Sequence, residues 1–219
     1  YKGISTYMEI KRKIFFVSAL LILFSFNLFA NFKFGISPKL GADINIAETK
    51  NYNSVLLDPR LDINFQIGYG FKLNNINLLS GIDLLFDFGI NEHMISVMDK
   101  NTASINRITA LGMYAGIALK FDLSKNNQNL LVGISSGVQF SHLINADYKS
   151  VPISPYVRLS FERKFFETEK TDFLAGIHFF YENMIFNTDD MSNLFSYHNT
   201  KQYHSVGLMF SFGFFFENR

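Results

Sequence analysis

The sequence predicts an all-β fold, an eight-stranded antiparallel up-and-down transmembrane β-barrel preceded by a cleavable signal peptide. Three observations carry this. Apolar residues alternate with small or polar ones at period two through eight segments, which sorts them onto opposite faces of strands. Longer and shorter polar connections alternate between those segments. A basic and then apolar stretch stands ahead of the first of them. The length of 219 residues suits one folded domain. The expected division is 1–30 for an upstream extension and signal peptide and 31–219 for the barrel.

Composition removes several function classes. A net charge of +1, with no run of Lys and Arg, offers nothing to neutralise phosphates, so nucleic acid is not an expected partner. The absence of Cys excludes a disulfide framework, a thiolate metal site and lipid attachment at a processed N-terminal cysteine. The five His are scattered without ligand spacing, so neither metal nor cofactor is expected.

Met8 is followed by Lys11, Arg12 and Lys13, then by the apolar run 14–30, which ends on the small residue Ala30. This reads as a secretory signal cut after Ala30. The run falls short of the ~20 apolar residues of a spanning helix and is broken by Ser18, Ser25 and Asn27. Residues 1–7, ahead of Met8, read as an upstream extension.

The first strand places Phe32, Phe34, Ile36, Leu40, Ala42, Ile44 and Ile46 on one face and Lys33, Gly35, Ser37, Lys39, Gly41, Asp43 and Asn45 on the other. Pro38 lacks a donor for the ladder and is expected at a bulge or outside the paired stretch. The second strand sets Leu61, Ile63, Phe65, Ile67, Tyr69, Phe71 and Leu73 against Arg60, Asp62, Asn64, Gln66, Gly68, Gly70 and Lys72. After an Asn-rich turn, the third strand, over 78–90, opposes Leu84, Phe86, Phe88 and Ile90 to Gly81, Asp83, Asp87 and Gly89. The fourth, over 104–121, turns Leu111, Met113, Ala115, Ile117, Leu119 and Phe121 outward. Arg107 shares that face and is expected near an interface, since an outward Arg at mid-membrane costs roughly 2–4 kcal/mol. The fifth alternates Leu130, Val132, Ile134, Val138 and Phe140 with Gly133, Ser135, Gly137, Gln139 and Ser141. The sixth opposes Ile153, Pro155, Val157, Leu159 and Phe161 to Ser154, Tyr156, Arg158, Ser160, Glu162 and Lys164. The seventh opposes Phe173, Ala175, Ile177, Phe179 and Tyr181 to Gly176, His178, Phe180 and Glu182. The eighth, over 201–216, carries Val206, Leu208, Phe210, Phe212, Phe214 and Phe216 on one face and Ser205, Gly207, Met209, Ser211 and Gly213 on the other. An aromatic face opposite a small, weakly polar one is the pattern of a strand whose oily side meets lipid.

Connections at about 47–59, 91–103, 145–152 and 187–200 are mostly longer than those at 74–77, 122–128 and 165–171. The longer set is expected outside the cell and the shorter set, with both termini, in the periplasm.

By strand parity the inward charges are Lys33, Lys39, Arg60, Lys72, Lys120, Arg158 and Lys164 against Asp43, Asp62, Asp83, Asp87, Glu162 and Glu182. Eight strands enclose a bore only wide enough for side chains, and buried charges persist when paired. The expected site is therefore an interior charge network of Arg60, Asp62, Asp83, Asp87, Arg158, Glu162 and Glu182, paired between neighbouring strands. In that scheme Arg60 and Asp62 face Asp87, while Arg158 and Glu162 reach Glu182. The competing reading is a narrow channel or ligand-sized pocket in the space left by the many inward glycines. Catalytic residues are not expected. Ser141 with His142, and Ser205 with His204, are adjacent on a strand and so lie on opposite faces. His178 and Glu182 lie about 13 Å apart along theirs at ~3.3 Å per residue.

With these strands in place the chain, over residues 31–216, resembles the small eight-stranded outer-membrane barrels, the OmpA-type transmembrane domain and the opacity-protein-like family. The resemblance implies the cell outer membrane as location, outer-membrane lipid and the barrel-assembly machinery as partners, and a monomer. It departs from the family's terminal aromatic, because Phe216 is followed by Glu217, Asn218 and Arg219. The expected role is structural or surface-interacting and adhesin-like, with a host or matrix ligand taken by the outer loops. The alternatives are a narrow pore for small solutes or ions and a lipid A-modifying enzyme.

Overall fold

The computed structural model describes residues 30–47, 56–73, 78–98, 105–123, 129–144, 151–168, 170–185 and 202–218. The expected signal peptide and most of the connections lie outside the described residues. Eight strands run in chain order: β1 (Ala30–Ala47), β2 (Leu56–Lys72), β3 (Gly81–Met98), β4 (Ile105–Asp122), β5 (Leu130–Leu143), β6 (Ile153–Glu167), β7 (Thr171–Ile185) and β8 (Gln202–Glu217). Each pairs antiparallel with its sequence neighbours, and β1 pairs with β8, closing the sheet.

The register fixes the shape. One circuit through paired residues runs Phe34, Ile67, Phe86, Ile117, Ser136, Val157, Tyr181 and Val206, and returns to β1 at Ile44, ten residues beyond its start. Such a stagger tilts the strands by about 40° and leaves a bore that side chains fill. The circuit is also a ring of outward residues, apolar except for Ser136. Phe86, Phe210 and Phe212 on the outside are each about half exposed, which the free energy of apolar burial tolerates only if lipid covers them. Along β4 the outward apolar run from Leu111 to Phe121 covers roughly 25 Å of height at ~3.3 Å per residue and ~40° tilt, the thickness of a barrel's lipid-facing band.

At the end of the barrel that carries the termini, outward rings pack in T-shaped, stacked or tilted pairs. Phe32 meets Tyr69, Phe34 meets Phe216, and Phe173 touches Phe165, Phe166 and Phe214. A register shift between Lys164 and Phe166 turns both Phe165 and Phe166 outward there. These rings form an aromatic girdle.

Three expectations need correction. Pro38 sits inside the paired stretch, opposite Ile63 of β2. The register with β8 is the same on either side of it, so the missing donor interrupts the ladder without a bulge. The third strand does not stop at Ile90 but continues to Met98, so residues 91–98 of the expected 91–103 loop are paired with β4. The asymmetry of the connections is also narrower than expected. Residues 48–55 and 73–80 match in length, and the contrast rests chiefly on 186–201 against 168–170. Arg107 is exposed near the end of β4 remote from the termini, as expected.

Candidate functional site

Strand alternation turns six cations (Lys33, Lys39, Arg60, Lys120, Arg158 and Lys164) into the bore, where all are buried. The seventh expected one, Lys72, is exposed at the last position of β2 because the wall ends there. Buried carboxylates comprise the expected Asp43, Asp62, Asp83, Asp87, Glu162 and Glu182, together with Asp58 and Asp172. Sequence reading missed the latter two because it started β2 and β7 too late.

Arg158 is the centre of the middle tier. Its Nη2 donates to Asp62 Oδ2 at 3.0 Å, and its Nη1 lies 3.8 Å from Asp87 Oδ2. Its guanidinium carbon lies 4.8 Å from the Tyr114 ring centroid and 5.3 Å from that of Tyr156. The hydroxyls of those rings donate to the same carboxylates, Tyr114 to Asp62 at 2.7 Å and Tyr156 to Asp87 at 3.2 Å. Asn64 and Gln66 add amide donors to Asp87 Oδ1 at 2.7 and 2.8 Å. A cation stacked on two rings and bonded to a carboxylate is held by several contacts at once.

Above it, toward the end away from the termini, Arg60 Nη1 donates to Glu182 Oε2 at 2.8 Å and approaches Asp43 at 3.6 Å. Its guanidinium lies 4.4 Å over the Phe180 ring. Gln139 bridges the tier, accepting from Arg60 Nη2 at 3.1 Å and donating to Glu182 at 2.8 Å. Asn91 donates to Gln139, and His93 Nδ1 lies 3.1 Å from the Asn91 oxygen. Higher still, Asn45 donates to Asp58, which also takes the backbone N–H and hydroxyl of Ser96. Tyr203 donates to the Ser96 carbonyl at 2.7 Å.

The lower tier pairs Lys33 with Asp83 at 2.8 Å, Lys120 with Glu162, and Lys164 with Asp122 at 2.8 Å and Asp172 at 3.6 Å. A buried apolar cluster of Leu85, Ala118, Leu131, Leu174 and Phe215 lies between these pairs. Lys120 lies 4.4 Å over the Phe215 ring.

All seven residues of the expected network are therefore buried in the bore, but their pairing differs. Register places Asp62 opposite Asn91, and Asp87 opposite Gln66, so neither Arg60 nor Asp62 faces Asp87 across the β2–β3 ladder. Arg158 reaches Asp62 and Asp87 rather than Glu182. Glu182 takes Arg60, and Glu162 takes Lys120. The shortest ion pairs join strands that are not neighbours, because an Arg or Lys stem is long enough to reach across so narrow a lumen. The pairs between neighbouring strands, Arg60 with Asp43 and Lys164 with Asp172, are longer at 3.6 Å. Asp83 stands apart in the lower tier.

The space expected at inward glycines is filled. A Cβ on Gly35 would meet the Phe215 ring at 2.5 Å, one on Gly89 the Tyr114 hydroxyl at 2.6 Å, and one on Gly207 the Phe180 ring at 2.4 Å. Register sets each of these rings directly opposite its glycine. Large inward side chains lie flat across glycines of the adjoining strand, an arrangement that stabilises glycines in sheets.

Ser141 is buried and His142 exposed, as their adjacency requires. His178 Nε2 lies 2.8 Å from Ser211 Oγ and 3.5 Å from Glu162 Oε1. Serine and carboxylate meet the same ring nitrogen, so the two-sided relay of a nucleophile, base and orienting acid is not assembled there.

The closed up-and-down barrel, apolar outside and charged within, has the architecture of the small eight-stranded outer-membrane barrels. No protein-family model and no curated protein matches the sequence. Among solved structures the chain is similar to the outer membrane protein OprG from Pseudomonas aeruginosa, at 8% identity and a TM-score of 0.44, over 87% of this chain and 96% of that one.

Proposed function

We propose that this protein is an outer-membrane barrel whose lumen is closed by its own side chains, with a structural or surface-interaction role exercised through the connections remote from its termini. The observation that carries closure is the tiered network. Arg60, Arg158 and Lys120 each bridge the bore to a carboxylate on a non-adjacent strand, and rings fill the space above the glycines. Charges held this way are not free to carry ions. The connections that would meet a host or matrix ligand lie outside the described residues, and their polar, Asn- and Tyr-containing composition is what supports that role. Outer-membrane lipid and the barrel-assembly machinery are the remaining partners, and the barrel acts as a monomer with no chemical step of its own.

Purified protein in planar bilayers is expected to show no steady single-channel current. Sustained conduction of small ions would replace this reading with that of a narrow pore. Lipid A mass spectra from cells with and without the protein are expected to be identical, and a new acyl or headgroup species would make it an enzyme.

A further inference from the structure

Between the middle and lower tiers lies a cavity of about 10 Å³ bounded by Lys39, Lys120, Arg158, His178, Ser135 and Ser160. It suits one water-sized species. Three of these residues are cations, and no carboxylate lines the wall. Lys120 and Arg158 have carboxylate partners elsewhere, in Glu162 and Asp62. Lys39 is 3% exposed and feels the attraction of Asp62, Asp87 and Glu162, but makes no direct ion pair or hydrogen bond among the described residues. Arg158 Nε and Nη1 and His178 Nδ1 are buried without hydrogen-bond partners. The Ser211 hydroxyl lies 2.8 Å from His178 Nε2. When it donates there, the imidazole carries its hydrogen on Nδ1 and gains a free donor. Several unpartnered donors and one cation without a direct carboxylate contact therefore surround a space of atomic size.

We propose that this cavity binds one monovalent anion of chloride's size, with Lys39 as its counter-charge. A buried cation is costly unless paired, and since the carboxylates that attract Lys39 do not line the cavity, a single negative charge there supplies the direct contact that the wall lacks. Ser135 and Ser160 can each turn a hydroxyl hydrogen toward it. The flexible stem of Lys39 lets its ammonium retreat to fit an ion slightly wider than water. Polyatomic anions such as phosphate are excluded by volume. The site does not depend on whether the barrel conducts.

The test uses the folded protein in detergent. Thermal unfolding is measured in chloride and in isethionate at equal ionic strength, and crystals are grown in bromide. The wild-type midpoint is expected to be higher in chloride by roughly 3–5 °C, with an anomalous bromide peak between Lys39 and Arg158. Lys39→Met and Lys39→Gln, two variants in case one folds poorly, are each expected to lose both signals. Lys72→Ala, at the exposed end of β2, is expected to keep them. Equal midpoints in the two salts, or a cavity without a bromide peak, would overturn the proposal. A bromide peak without chloride-dependent stability marks an adventitious ion only and overturns it as well.

Discussion

Arg158 meets two carboxylates and two aromatic rings while 4% exposed. Truncating it would leave Asp62 and Asp87 buried without their cation, and breaking a buried pair by removing one partner costs about 3–5 kcal/mol. Lys72 has the same inward parity but stands in solvent, where charges contribute about 0–1 kcal/mol. Arg158→Ala is therefore expected to lower the denaturant midpoint of the detergent-solubilised barrel severely and Lys72→Ala hardly at all. Equal midpoints for both variants would mean that water, not protein, surrounds the central charge. Arg60 provides a second test at this scale. A double-mutant cycle between Arg60 and Glu182, 2.8 Å apart, is expected to give a coupling of about 0.5–3 kcal/mol. A cycle between Arg158 and Glu182, which form neither an ion pair nor a hydrogen bond, is expected to give almost none. The reverse ranking would restore pairing between neighbouring strands.

At the scale of the strand, pairing and volume are set together. Gly35 on β1 faces Phe215 on β8, and the nearest atoms to a Cβ at Gly35 all belong to the Phe215 ring, at 2.5–2.8 Å. Gly35→Ala should thus destabilise by roughly 1–3 kcal/mol through overpacking. Adding Phe215→Leu should recover part of that loss, since the obstacle is one side chain and not backbone. Additive losses in the double variant, measured by urea unfolding, would show that the strain lies in the strand itself. The faces of these strands were legible in the sequence because lipid outside and polar groups inside preserve a period of two. Legibility failed where the outside ceases to be lipid. Asn91 and His93 are buried inward while Glu92 is exposed outward, so both faces of β3 become polar and the segment reads as a loop although its ladder with β4 continues. The choice of ion-pair partners was not legible either. Parity assigns a residue to the bore, but which carboxylate Arg158 meets across it depends on the stagger of all eight strands.

For the whole molecule, orientation follows from where the apolar band ends. At the termini-bearing end, outward residues are aromatic almost to the strand ends, as at Phe32, Phe121 and Phe216. At the opposite end, exposed outward positions turn polar while the strands continue, at Glu92 of β3, Arg107 of β4 and His142 of β5. Glu92, Leu111 and His142 are successive partners across β3, β4 and β5, so the polar positions begin along one hydrogen-bonded row near that end of the barrel. An outward Arg costs roughly 2–4 kcal/mol at the midplane and about 0–1 near the interface, so the band must sit below that row and the strands must project beyond it. The longest connection, 186–201, is at the projecting end, and the shortest, 168–170, is at the other. Projecting strands with the long connection should face the exterior. Because the chain has no cysteine, single cysteines report position without background. Arg107→Cys and His142→Cys are expected to react, in intact cells, with a polyethylene-glycol maleimide too large for porins. Lys170→Cys and Asn218→Cys are expected to react only after the outer membrane is opened. Labelling of Lys170→Cys but not Arg107→Cys in intact cells would invert the barrel, putting the projecting strands and the 186–201 connection in the periplasm, where no host ligand could meet them.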